Sequence, residues 1–277
     1  MQSRWLITGS SRGLGRALSE AVLAAGHRLV ATARDPRQLA DLTQRYGDAV
    51  RTAALDVSNA DAAQAAVQLA VDRFGGLDVV VNNAGYGNVN SVEDTDLAEF
   101  RRQIEANLFG TIIVTKAAIP VLRAQRSGHV IQLSSVGGRI GAPGRAPYSA
   151  AKWGVEGFSE SLALEMALIG VKVTVIEPGG FRTDFAGSST VLEDGRAEYD
   201  AVVGATARRQ RDYNGRQPGD PARAAQAILK IAAMDNPPFR LPLGSDALQL
   251  IERADRARLA ELERWRALSA STDFPPE

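Results

Sequence analysis

The chain has 277 residues, 45% of them hydrophobic, enough for one large α/β domain or two small ones. Its 32 basic and 32 acidic residues balance, so bulk charge favours neither nucleic acid nor an anionic membrane surface. The absence of cysteine excludes disulfides, thiolate nucleophiles and Cys-ligated metals, and His27 and His129 alone make a His-rich metal site or a Ser-His-Asp triad hard to assemble.

In chain order, short apolar runs alternate with longer amphipathic ones. Strands are predicted at Arg4–Thr8, Arg28–Thr32, Val50–Ala54, Val79–Asn82, His129–Leu133 and Val171–Ile176. Helices are predicted between them, near Leu14–Ala25, Arg37–Tyr46, Asp61–Phe74, Leu97–Arg126 and Tyr148–Ile169. This alternation predicts a parallel sheet with helices on both faces, and the unbroken apolar strands fit burial on both sides. Asp35-Pro36 reads as a helix cap followed by proline at the first helical position, while Gly26 and Gly170 read as helix stops.

From Glu177 to Gly219 the periodicity weakens, which predicts a lid over roughly 184–215. Helix returns at Pro221–Met234, Phe239–Leu243 is a candidate last strand, and Ala247–Leu268 is a charged amphipathic helix within a C-terminal extension from about residue 245. The whole of 1–277 is expected to form one domain. Trp5-Leu6-Ile7 is too short for a signal-peptide core. No apolar stretch approaches the roughly 20 residues of a membrane span, because Lys116 and Pro120 interrupt Thr111 to Leu122. A cytoplasmic protein with no membrane or nucleic-acid partner is expected.

Thr8-Gly9-Ser10-Ser11-Arg12-Gly13-Leu14-Gly15 falls where the first strand meets the first helix. Glycines there permit a tight turn and let backbone N–H groups approach a pyrophosphate at the positive end of the helix. Further motifs follow in order: Asn82-Asn83-Ala84-Gly85 after the fourth strand, Asn107 in the next helix, Ser134-Ser135 after the fifth strand, Tyr148-Ser149-Ala150-Ala151-Lys152, and Pro178-Gly179 after the sixth. Over roughly the first 185 residues this ordered set resembles the short-chain dehydrogenase/reductase family, with its TGxxxGxG turn, NNAG and YxxxK. The resemblance implies a Rossmann-type, doubly wound, seven-stranded parallel sheet in three α/β/α layers.

Tyr148 and Lys152, four residues apart, share one helix face. A tyrosine with an ordinary pKa near 10 is a reluctant proton carrier, and a nearby ammonium is expected to lower it. Tyr148 then acts as general acid/base on the carbonyl or alcohol oxygen. Ser135, chosen over Ser134 by the family's spacing, is expected to position that oxygen. The resemblance further implies that Lys152 binds the nicotinamide ribose and that Asn107 holds a water of a proton relay. A mid-helix asparagine bonding a backbone carbonyl is compatible with that role.

The resemblance implies a nicotinamide dinucleotide held by Gly9, Ser11, Arg12, Gly13, Leu14, Gly15, Asp56, Val57, Asn83, Ala84, Gly85, Tyr148, Lys152, Pro178, Gly179, Phe181 and Thr183. Many members have an aliphatic residue where Phe181 stands. The second strand ends Ala33-Arg34, with no acid at Ala33, and Arg34 and Arg12 supply cations for a 2′-phosphate. NADP(H) is therefore expected over NAD(H), with Asp35 read as the cap before Pro36 rather than as a ribose ligand.

The lid carries Phe185, Val191, Leu192, Tyr199 and Tyr213 beside Arg208, Arg209 and Arg211, and a solvated helix face explains those arginines more cheaply than an anionic substrate. Gly137–Pro147, with Arg139 and Ile140, is expected to form another pocket wall. The general layout resembles the retinol or steroid dehydrogenase-like branch and implies a fairly apolar small-molecule ketone or aldehyde. The alternatives are a non-catalytic NADP(H) sensor on the same fold, and a sugar-nucleotide epimerase, for which the roughly 90 residues after Thr183 leave little room. A homodimer or homotetramer is expected through Leu97–Arg126 and Tyr148–Ile169, with the C-terminal helix joining that interface or covering its own subunit's pocket.

Overall fold

The computed structural model describes residues 2–187 and 189–274. Strand β1 (Arg4–Ile7) leads into helix α1 (Gly13–Ala24), then β2 (Arg28–Ala33), α2 (Ala40–Tyr46), β3 (Val50–Ala54) and α3 (Ala60–Phe74). There follow β4 (Val79–Asn82), a short β5 (Gly87–Val89), α4 (Leu97–Ile104), α5 (Gly110–Gln125) and β6 (Gly128–Leu133). Then come α6 (Ala146–Ala167), β7 (Val171–Pro178), a short β8 (Thr190–Leu192), α7 (Ala205–Tyr213), α8 (Pro221–Ala232), β9 (Arg240–Leu243) and α9 (Ser245–Ala270).

Seven strands form one parallel sheet in the order β3-β2-β1-β4-β6-β7-β9. The apolar runs are unbroken because successive side chains face opposite helical layers. In β1, Ile7 joins Ala31, Val81, Ile131 and Ile176 under α1 and α8, while its neighbour Leu6 joins Val30, Val80 and Val130 under α3, α5 and α6. Each such fully buried aliphatic contributes roughly 2 kcal/mol of transfer free energy.

The chain winds outward from β1 to β3, then returns to place β4 on the other side of β1. The connections leaving β1 and β4 therefore diverge, opening a crevice at the carboxyl ends of the strands where α/β proteins bind ligands. The sheet and its flanking helices are the architecture expected from the sequence.

The differences are local. The expected helix Leu97–Arg126 is α4 and α5 joined by a π turn at Glu105–Phe109, with Pro120 accommodated inside α5. By length and composition alone Leu97–Gln125 could cross a membrane, yet its Val114, Ala118 and Leu122 are buried in the core. Asp35 caps a 3-10 turn at Pro36–Leu39 by accepting the Arg37 N–H at 3.0 Å.

The stretch expected to be irregular is more ordered than its sequence suggests. β8 pairs with β5 in a separate two-stranded sheet, and a π turn at Asp200–Gly204 continues into α7. The inward side of α7 is Thr206, Ala207 and Gln210, small or polar residues that leave little hydrophobic period to read.

Candidate active site

The crevice is a cavity of about 1570 Å³ running from the end of β2, across the glycine turn, to the lid and the start of α9. Gly9 and Gly13 take φ of +69° and +59°, which only glycine adopts without strain. A Cβ on Gly15 would stand 2.3 Å from both Asn83 Nδ2 and the Gly9 carbonyl oxygen, so the helix could not start so close to the turn. Asn83 and Ala84 tie β4 to that turn: their N–H groups donate to Thr8 Oγ1 at 2.9 and 3.0 Å, and Asn83 Nδ2 donates to the Thr8 carbonyl at 2.8 Å. No side chain caps the N-terminus of α1.

Of the expected dinucleotide residues, Gly9, Ser11, Arg12 and Leu14 line the cavity at the turn. Arg34, Asp56 and Val57 line it beside the second and third strands, Ala84 and Gly85 join Asn83 after β4, and Pro178, Gly179, Phe181 and Thr183 line it after β7. Gly13 and Gly15 shape the turn without lining the space. Ala33 is buried and leaves no carboxylate at the end of β2, and Asp35 is engaged by the Arg37 guanidinium at 2.9 Å. An uncapped helix end beside exposed Arg12 and Arg34 fits a phosphorylated dinucleotide.

Deeper in, Ser135, Tyr148 and Lys152 converge. Ser135 follows β6 and accepts the Gly137 N–H at 3.0 Å, which fixes its hydroxyl. The Tyr148 ring stands beside that hydroxyl, both within about 3.5 Å of where a Gly137 Cβ would lie. Ser134 is buried against Glu156 instead. Lys152 is buried, and its Nζ donates to the Leu133 carbonyl at 2.7 Å.

Electrostatics here depart from the expectation in one respect. Burial pushes the Tyr148 phenol above its ordinary pKa, while the Ser135 hydrogen bond and the Arg145 charge pull it down. The lowering expected from Lys152 does not outweigh burial, because its ammonium turns to Leu133 and lies 5.8 Å from the Tyr148 ring centre. Burial in turn lowers Lys152 to about 8, against the pull of the Glu156 carboxylate.

Asn107 does not line the cavity. Its Nδ2 donates to the Tyr86 and Gln103 carbonyls, both at 3.0 Å, and its Oδ1 accepts the Tyr86 N–H at 3.2 Å. It thereby fixes the loop after β4, and a Cβ on Gly85 would touch both Asn107 Oδ1 and Lys152 Nζ.

The walls divide differently from the sequence reading. Phe185, Val191 and Tyr213 line the cavity, whereas Leu192 and Tyr199 pack on Val89 and Val203 in a small core of their own. Arg208 and Arg211 pair with Asp200 and Asp194, and Arg209 faces the cavity. Ile140 lines it, but Arg139 is drawn off to Glu177 and Asp255, at 2.9 and 2.7 Å. Helix α9 covers its own subunit's pocket with Asp246, Leu250 and Arg253.

Sequence reasoning passed over Arg145, Glu156, Gln210 and Gln217. Glu156 was findable at one helical turn from Lys152, and Arg145 at three residues before Tyr148. Gln217 carries no comparable signal.

A family model described as short chain dehydrogenase matches residues 4–193. Oxidoreductase BOA17 of Botryotinia fuckeliana is 47% identical over 273 residues, covering 98% of this chain and 100% of its own length. A crystal structure of a short-chain dehydrogenase from Streptomyces avermitilis superposes with a TM-score of 0.92 at 38% identity, covering 99% of this chain and 100% of that one. A metagenomic short-chain oxidoreductase in complex with NADP superposes with a TM-score of 0.68 at 26% identity, covering 88% and 97%. The chain belongs to the short-chain dehydrogenase family of oxidoreductases.

Proposed function

We propose that the protein interconverts a ketone or aldehyde with its alcohol, using NADP(H) in preference to NAD(H). The observation that carries this reading is the convergence of Ser135 and Tyr148 on the cavity wall with the buried Lys152 beside them. When bound, the nicotinamide supplies or accepts the hydride.

The chain's own residues do the rest. Ser135 holds the substrate oxygen, which fixes the carbonyl relative to Tyr148. The Tyr148 hydroxyl gives its proton to that oxygen during reduction and takes one back during oxidation. Lys152 supports the phenolate through its charge and binds the nicotinamide ribose. Asn107 holds the loop next to Lys152 and anchors the water of the proton relay. Arg34 and Arg12 receive the 2′-phosphate. Ile140, Phe185, Val191 and Leu250 give the substrate an apolar berth and exclude water, in keeping with the retinol or steroid dehydrogenase-like layout. Exposed Phe109, Leu164 and Leu168, on the π turn, on α6 and just past it, support a homodimer or homotetramer, which light scattering would detect.

The test is a carbonyl screen with NADPH and NADH, repeated with Tyr148→Phe. The variant should bind NADPH as the wild type does and lose most turnover. Near-wild-type rates would remove Tyr148 as proton donor, and tight NADPH binding with no turnover on any carbonyl or alcohol would favour a sensor.

A further inference from the structure

Five half-buried arginines, Arg4, Arg16, Arg51, Arg139 and Arg240, each bond a carboxylate, and a sixth, Arg28, lies over the Phe74 ring outside the cavity. Arg145 is also half-buried, and among the described residues no carboxylate pairs with it. It lines the cavity with its guanidinium carbon 6.0 Å from the centre of the Tyr148 ring, and its Nη1 lies near Gly87. Arg209, a second cation on the lid side of the same cavity, is close enough to act against its charge.

A desolvated guanidinium facing another cation is costly unless something negative joins them. Asp246, the acid that α9 brings to this cavity, accepts the Gly180 N–H through Oδ2 at 2.7 Å, and among the described residues it forms no ion pair with Arg145 although its Oδ1 has no partner. A second observation points the same way. Gln210 and Gln217, 9% and 1% exposed, line the same cavity, and among the described residues Gln210 Nε2 and both polar atoms of the Gln217 amide have no partner. The cavity therefore holds buried polar groups still to be satisfied, and Arg145 beside the Tyr148 ring makes a place in it for an acceptor with negative charge.

We propose that Arg145, with Arg209, forms an anion-binding subsite next to Tyr148, and that the substrate is a carbonyl compound carrying a carboxylate. A carboxylate matches the planar fork of a guanidinium through two parallel hydrogen bonds. The apolar berth then takes the carbon chain. This rests on the carbonyl-reductase reading above and adds the substrate's charge to it.

The experiment compares kcat/KM with NADPH for 4-oxopentanoate, 5-oxohexanoate and 6-oxoheptanoate against their methyl esters. It uses the wild type, Arg145→Gln, Arg145→Lys and Arg209→Gln. NADPH binding, followed by its fluorescence, serves as a folding control, since neither arginine is placed against the dinucleotide. The wild type should prefer at least one acid over its ester by about tenfold or more. Arg145→Gln should remove that preference, chiefly through the KM of the acid, while any loss that comes through the Tyr148 phenol falls on acid and ester alike. Arg145→Lys, which keeps the charge without the fork, should fall between, and Arg209→Gln should weaken the acid less.

Equal use of acid and ester by the wild type overturns the subsite. So does an Arg145→Gln variant that loses equally on acid and ester and keeps the wild-type preference, which would leave the pull of Arg145 on Tyr148 as its whole role. Reduction of neutral ketones but none of these acids overturns it too. Failure to reduce any carbonyl while NADPH still binds would count against the enzymatic reading itself.

Discussion

Glu156 sits one helical turn beyond Lys152 on α6, and both side chains are buried. Burial brings the ammonium down to about 8, and the Glu156 charge acts against that fall. Removing the charge should let Lys152 lose its proton at lower pH. Glu156→Gln should therefore move the alkaline fall of kcat/KM to lower pH, by about half to one unit. Glu156→Asp, which keeps the carboxylate, should leave the limb near its wild-type position. A pH profile unmoved in Glu156→Gln would assign that limb to another group.

The same lysine has a signature in stability. Its folded pKa of about 8 lies below the ordinary 10.5, so the unfolded chain holds the proton more tightly between those values. The charged lysine then costs the fold most at pH 7, and the cost fades as pH rises through 8 towards 10.5. Lys152→Met has no such titration. Relative to that variant, the wild type should gain about 2–3 kcal/mol of unfolding free energy between pH 7 and pH 10, measured with urea at both pH values. A constant difference would mean that Lys152 keeps its ordinary pKa in the fold.

How far the molecule is legible in its sequence depends on which force shapes each part. Leu6 and Ile7 announce a strand buried on both faces because both are apolar, and the sheet follows from six such runs. Turn glycines are legible because backbone geometry demands them, as at Gly9 and Gly13. Tyr148 and Lys152 are legible because a four-residue spacing fixes a shared helix face. The direction of the Tyr148 shift is not, since burial outweighs the lysine, and burial belongs to the tertiary structure. Arg208 and Arg211 turn out to be paired, while among the described residues Arg209 has no ion pair, a distinction made by where Asp200 and Asp194 fall in space. The pairing of β5 with β8 joins segments about 100 residues apart, and each is three residues long, too short to carry a period.

The proposed preference for NADP(H) rests on the end of β2. Ala33 offers no carboxylate, and Arg34 is exposed at the cavity mouth with Asp56 close enough to feel its charge. A 2′-phosphate is favoured by that cation, and a bare 2′-hydroxyl finds no acceptor at Ala33. Ala33→Asp combined with Arg34→Ser should reverse the order, weakening NADPH by about tenfold or more and tightening NADH. Fluorescence titration of both dinucleotides reads this directly. An unchanged order in the double variant would move the recognition of the 2′ position elsewhere, with Arg12 the first place to look.

Arg139 joins three parts of the molecule. Glu177, wholly buried at the end of β7, receives Arg139 Nη1 at 2.9 Å and Arg240 Nε at 3.3 Å, and Arg139 also bonds Asp255 of α9 at 2.7 Å. The same α9 walls the cavity through Leu250 and Arg253. Arg139→Leu keeps most of the side-chain volume but leaves Glu177 with Arg240 as its remaining cation and removes one link to α9, the bond to Asp255. It should destabilise the fold by about 3 kcal/mol, because a buried charge loses a partner. It should also raise KM for the carbonyl more than it lowers kcat. Adding Glu177→Leu removes the stranded charge and should recover at least about half of the lost stability without repairing KM, since the Arg139 link to α9 stays broken. Urea unfolding of the two variants separates charge burial from tethering, and a double variant no more stable than Arg139→Leu would show that the single loss came from packing alone.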